Sequence, residues 1–201
     1  MVALGVDPAA SDSKTASESA FFLAGVCTTC GRIYVVDYHH VRQSPELNPH
    51  TILSFADSYE ELSRVRIEVN AYQKALARDN MLVNAQSKYR FILEEWNTDE
   101  RKNDPMIGIP VLSRHMKNGK FSVPYKTEID REMAEHFLRQ LIRWPKRPND
   151  VVMSCWLCEL SLAQLFEEAQ YNVPDYGDNW SSVPEYLQQQ VYEIDMAEIV
   201  E

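Results

Sequence analysis

The stretch VALGVDPAAS, residues 2–11, alternates Val2, Leu4 and Val6 with smaller residues as a buried strand does, then runs into Asp7 and at once into Pro8. A carboxylate at the end of a core strand costs desolvation free energy unless something pairs with it, and Pro8 removes the next backbone donor that could help. A basic side chain, a cap or a metal ion can answer that need. Which one does so bears on both fold and function.

Working outward, SAFFLAGVC at 19–27 and RIYVVDYHH at 32–40 read as two strands joined by the turn TTCGR, a hairpin. Asn48 and Pro49 read as the cap and first position of a helix over 49–62. RVRIEV at 64–69 follows as a strand, AYQKALARD begins another helix, 84–96 reads as helical and NTDERKND at 97–104 as a charged loop. IPVL at 109–112 is expected to be a strand and NGKFSVPY at 118–125 a turn with an edge piece. Two long helices close the pattern: 127–144, with Ile129, Met133, Phe137, Leu141 and Trp144 on one side, and 150–170. Strands interleaved with helices and opening on a hairpin imply an α/β layer fold around a mixed sheet. The expected division is a domain over 1–170 and an acidic tail over 171–201 containing one short helix at 184–194.

The 201 residues suffice for one domain with a substantial core, and 45% hydrophobic with 25% charged content is that of a soluble globular protein. No apolar run has the length to span a bilayer, and the first residues lack the layout of a secretory signal. A cytoplasmic setting with reduced Cys27, Cys30, Cys155 and Cys158 is expected. The net charge of −10 argues against holding nucleic acid by charge alone. Acids gathered around metal ions, however, create a local positive site once the ions bind. Basic residues cluster at Arg114, Lys117, Lys120 and Lys126 and again at Arg143, Lys146 and Arg147, whereas 172–201 has many acids and no Lys or Arg.

Three acids end or open elements: Asp7 the first strand, Glu68 the strand RVRIEV, and Asp150 the last helix. If the two strands are parallel neighbours, both acids leave the same sheet edge, where open α/β folds place ligands, and Asp150 can join them from the helix terminus. Phosphodiester hydrolysis by two hard divalent cations needs such oxygen ligands from several segments. Each acid also has a plain structural reading: Asp150 on the helix dipole, Glu68 paired with Arg66 or Lys74, Asp7 opening a turn. Their joint order in the chain favours the metal reading.

The words around these acids carry a resemblance. GVDPAASDSKTASESAFFLAGV, GRIYVVDYHHVRQSP, RIEVNAYQKALARD and FSVPY…LIRWPKRPNDVVMSCWLCEL resemble, in that order over residues 2–165, the carboxy-terminal nuclease domain of phage large terminase subunits. The resemblance implies a ribonuclease H-like fold, a central mixed β-sheet flanked by helices, and two-metal cleavage of concatemeric double-stranded DNA during genome packaging with Mg²⁺ or Mn²⁺. It carries Asp7, Glu68 and Asp150 across as catalytic metal ligands. Where many relatives have two adjacent acids before the final helix, Asn149 precedes Asp150 here; Glu18 and, more weakly, Asp12 match an acid after the first loop. The implied partners are a terminase ATPase domain, a portal and a small terminase subunit, in the host cell cytoplasm. No G-x-x-x-x-G-K-[ST] occurs, the only Gly-Lys pair being Gly119-Lys120, so this chain has no ATP site and reads as the nuclease half without its motor.

Phosphate contacts are expected from Lys117, Lys120, Lys126, Lys146 and Arg147; Tyr72, Gln73 and Lys74 open a helix beside the acids, where contacts to DNA are also expected, Lys74 reading equally as a solvated surface charge. His39-His40 reads as an ordinary strand-edge pair. The two C-x-x-C pairs, Cys27/Cys30 and Cys155/Cys158, are too far apart for a zinc ribbon and the second lies in an apolar helix, so no stoichiometric zinc is expected. Two other functions stay open: a junction resolvase-like nuclease of the same fold, and a non-catalytic assembly module of a packaging motor.

Overall fold

Gly5, in the middle of the first strand, has no room for a side chain: an added Cβ would lie 2.0 Å from the Ser154 carbonyl oxygen and 2.4 Å from the Cys158 nitrogen. That close approach sets the long helix VVMSCWLCEL directly on the sheet. The computed structural model describes residues 1–10, 18–69, 74–98 and 100–171. Asp12, Tyr72, Gln73, the expected helix at 184–194 and the tail beyond residue 171 lie outside them.

Strands β1 (Val2–Asp7), β2 (Ser19–Val26), β3 (Ile33–Val41), β4 (Leu62–Glu68), β5 (Ile92–Trp96) and β6 (Phe121–Ser122) form a six-stranded sheet in the order β5-β4-β1-β2-β3-β6. β1 pairs antiparallel with β2 and parallel with β4, so the sheet is mixed. The expected hairpin is present, β2 against β3.

The period of two sorts side chains cleanly. Leu4, Val6, Phe21, Leu23, Val65 and Ile67 bury on one face, under helices α1 (Asn48–Ser58) and α3 (Asn80–Tyr89). Ala3, Ala20, Phe22 and Ala24 bury on the other, under α4 (Pro110–Lys117), α5 (Glu128–Arg143) and α6 (Asp150–Tyr171). The small residues of β1 and β2 on that second face are what admit α6, which is buried along most of its length. A capping box between Thr127 and Asp130 starts α5.

Several expectations are corrected. Residues 109–112 are not a strand: Pro110 stands in the first turn of α4, where a missing N–H is harmless, and Val111 and Leu112 are buried from a helix. The helix expected over 84–96 ends at Tyr89, because Arg90 takes a left-handed conformation (φ 60°), and 92–96 become β5, paired parallel with β4. Helix-forming Leu93, Glu94 and Glu95 are drawn into a strand by that pairing and by ion pairs from Arg64 and Arg66 to Glu94. Leu47, not Asn48, is the cap position of α1, and the Asn48 side chain accepts instead from Gln43 Nε2 at 2.8 Å. AYQKALARD contributes only a short helix, α2 (Lys74–Ala77), to the described residues. On α5, Ile129 is 70% exposed, while Ala134, Phe137, Gln140 and Leu141 face the core.

Candidate active site

The parallel register Val6↔Ile67 carries the next two residues, Asp7 and Glu68, out of the sheet side by side. Val6 and Ile67 point to the α1 and α3 face. By alternation Asp7 and Glu68 point to the opposite face, where α6 begins with Asp150. Three segments distant in sequence thus bring one acid each to a single corner.

Asp7 keeps some solvent access at the sheet edge, yet burial is the largest influence on it and raises its pKa well above the usual carboxylate range. The charge of Glu68, a hydrogen bond between the two carboxyls and the charge of Asp150 raise it further, and only Lys102 opposes. A hydrogen bond between two carboxyls needs a proton on one of them. The corner is therefore short of positive charge.

The donor set suits a hard divalent cation: carboxylate oxygens from two strands and one helix start. As the side chains lie, no group of three or more His, Cys, Asp or Glu among the described residues closes around a single point. Of the two neighbouring acids, Glu68 acts on Asp7 more strongly than Asp150 does.

Of the auxiliary residues, Glu18 has its Oε2 2.9 Å from His40 Nδ1 and its Oε1 3.7 Å from Arg42 Nη2, one strand away from Asp7. Asn149 accepts the Met153 N–H with its backbone oxygen at 3.0 Å, in the turn before α6. The basic residues do not form one patch. Lys146 and Arg147 are exposed in the connection leading to Asp150. Lys120 is tied through its carbonyl to Ile33 N (2.8 Å), at the start of β3 and the opposite sheet edge from Asp7, with Lys117 just before it. Lys126 precedes α5, and Lys74 opens α2.

Two contributions were missed in the sequence. Lys102, in a 3-10 turn over Glu100–Asn103 where a charged loop is expected, acts electrostatically on Asp7, and nothing in a run of mixed charges marked it out. His40, which pairs with Ala20 opposite Asp7, is no isolated edge residue: its ring stacks on His136 of α5 at 4.3 Å. His136 Nε2 lies 3.3 Å from Gln140 Nε2, and Gln140 Oε1 accepts from Val151 N at 3.1 Å, beside Asp150. A cleft of about 580 Å³ opens here, lined by Tyr38, His39, His40, Glu132, His136 and Arg139 among others.

Neither a protein-family model nor a curated protein matches the sequence. Among solved structures, the chain is similar to the human cytomegalovirus terminase nuclease domain, a manganese-soaked structure, with TM-score 0.53 and 15% identity over 83% of this chain and 86% of that one. It also matches the fowlpox virus Holliday junction resolvase (TM-score 0.49, 11% identity, 82% of this chain and 99% of that one). A third match is T. thermophilus RuvC in complex with a Holliday junction substrate (TM-score 0.42, 11% identity, 85% and 96%). With its mixed six-stranded sheet flanked by helices and its likeness to the terminase nuclease domain, this chain has the ribonuclease H-like fold.

Proposed function

We propose that the chain is a divalent-metal-dependent DNA endonuclease of the terminase type, cutting concatemeric viral DNA during genome packaging. The observation that carries this reading is the convergence of Asp7, Glu68 and Asp150 at one corner of the fold, with Asp7 held against Glu68.

In this reading Asp7, Glu68 and Asp150 would hold two Mg²⁺ or Mn²⁺ ions, with Asp7 serving both, Glu68 one and Asp150 the other. Bound there, the ions supply an activated water and neutralise the leaving oxygen of a phosphodiester. The chain's own residues fix the geometry. The β1–β4 pairing sets the separation of Asp7 and Glu68, and Gly5 lets α6 approach so that Asp150 reaches the same corner. Lys102 adds positive charge beside Asp7, and in this reading Lys146 and Arg147, exposed just before Asp150, take phosphates of the duplex. Nothing here resembles a base-reading helix, so little sequence preference is expected. Lys117 and Lys120, at the far sheet edge, serve a duplex only if it runs along the molecule.

The partners belonging to this reading are a terminase ATPase domain, a portal and a small terminase subunit, meeting double-stranded DNA in the host cell cytoplasm. Incubation of the chain with plasmid and Mn²⁺ tests it. Metal-dependent linearisation or degradation is expected, with no cleavage in EDTA, and an inert protein rejects the enzyme in favour of an assembly module. A parallel assay on linear duplex and four-way junctions decides between the packaging nuclease and a junction resolvase, the latter resolving junctions symmetrically and sparing duplex.

A further inference from the structure

The turn between β2 and β3 holds two thiols in a built loop. The Cys27 N–H donates to the Arg32 oxygen and the Gly31 N–H to the Cys27 oxygen, each at 2.9 Å. Gly31 sits at φ +68°, which lets the chain reverse directly after Cys30. The Cys30 backbone and thiol first, then the Thr29 backbone, hold the Cys27 thiol below its ordinary pKa. Cys27 is half-buried and Cys30 exposed.

The other C-x-x-C pair is its opposite. Cys155 and Cys158 are buried in α6 against β1, the Cys158 thiol donates to the Ala3 oxygen at 3.2 Å, and burial pushes both thiols up, Cys158 to about 12. They are core residues, unable to reach the hairpin tip.

Two cysteines on a C-x₂-C turn closed by a left-handed glycine make half of a tetrahedral thiolate site. Among the described residues no further Cys or His joins Cys27 and Cys30 in a group of three. The chain's four cysteines are Cys27, Cys30 and the buried pair, and its five histidines are His39, His40, His50, His115 and His136. His39 and His40 close β3 at the other sheet edge, His50 is in α1, and His115 and His136 are held in α4 and α5. No group of three or more ligating side chains forms among the described residues. Two identical exposed half-sites complete each other about a twofold axis.

We propose that Zn²⁺ joins two copies of this chain hairpin tip to hairpin tip, with Cys27 and Cys30 of each copy forming one tetrathiolate site. Binding releases four thiol protons per ion and leaves a net charge of −2, beside which Arg32 of each copy supplies a positive side chain. The tip stands about 20 Å along β2 from the strand end that pairs with Asp7, counting roughly 3.3 Å per residue, so the acid corners face away from the joint. The joint is independent of the nuclease reading.

The test uses the full chain, kept reduced, stripped with EDTA and titrated with Zn²⁺ and separately with Co²⁺ while mass is followed by light scattering. Mass is expected to double and binding to saturate at half an equivalent of metal per chain, with the intense visible absorption of tetrahedral thiolate-bound Co²⁺. Cys27→Ser and Cys30→Ser should each abolish dimer and absorption while leaving the circular dichroism melt unchanged. Saturation at one equivalent in a monomer, absence of binding at micromolar zinc, or a dimer that survives EDTA would each overturn the proposal.

Discussion

Asp7 and Glu68 leave adjacent parallel strands at the same sheet edge and share a hydrogen bond between their carboxyl groups. Two acids in that position, with Asp150 raising the pKa of Asp7 further, repel one another when ionised. Asp7→Ala, Glu68→Ala and Asp150→Ala are each expected to lower Mn²⁺-dependent plasmid cleavage by orders of magnitude. Without metal the thermal midpoint should stay equal or rise, and metal-induced stabilisation should shrink in all three. Cleavage at the parent rate removes that acid from the site, and loss of the fold marks it as structural.

Gly5→Ala should be among the most damaging single-carbon changes in the chain. The new Cβ meets backbone atoms of α6 at 2.0 and 2.4 Å, and neither can step aside as a side chain could. A loss on the order of 3 kcal/mol or more is expected from such overpacking, read as a fall in the urea midpoint. Since α6 also positions Asp150, cleavage should fall with it.

Glu94 bonds two buried guanidiniums, Arg64 Nη1 at 2.8 Å and Arg66 Nη2 at 2.6 Å, which are 2% and 5% exposed. Glu168 and Gln164 of α6 complete this network. Glu94→Ala leaves both cations short of a partner and should cost about 3 kcal/mol, measured by chemical denaturation. Glu94→Gln, which keeps an acceptor, should cost less.

Glu159 gives a pH signature. Burial pushes its carboxyl up from 4.5 to about 7, with Arg66 opposing. The folded state then binds this proton more tightly than the unfolded state, so its contribution falls as pH rises from 4.5 to about 7 and is lost by about 3 kcal/mol above that. Glu159→Gln should gain on the parent over that window and run parallel to it outside. His115, whose Nδ1 is 3.4 Å from Glu159 Oε1 without hydrogen-bond alignment, acts with the opposite sign. Burial first, then Lys120 and Arg114, lower its pKa, so it costs stability as pH falls below 6.5, and both proteins carry it.

Truncation after Gln170 should keep or raise cleavage by the purified chain, because 172–201 brings many acids and no Lys or Arg to a protein that must approach phosphates. A folded truncation without activity would assign the tail a part in catalysis.

The sequence by itself determined the elements whose signals are local. The alternation in VALGVD and SAFFLAGV, the hairpin around TTCGR, and the two long helices of the carboxy-terminal half are all where their periodicity puts them. It also marked Asp7, Glu68 and Asp150 as the acids at element ends. What it left undecided depends on partners far along the chain. ILEEW is a strand because β4 offers it a hydrogen-bonding edge and two arginines, and PVLSRHMK is a helix that buries Val111 and Leu112 in the core. Lys102 acts on Asp7, and His136 stacks on His40, only once distant segments have packed, and the two basic clusters of the sequence lie toward different ends of the sheet. Local propensity acts over a few residues, whereas strand pairing and charge act across space. For that reason the acids were legible in the sequence and their surroundings were not.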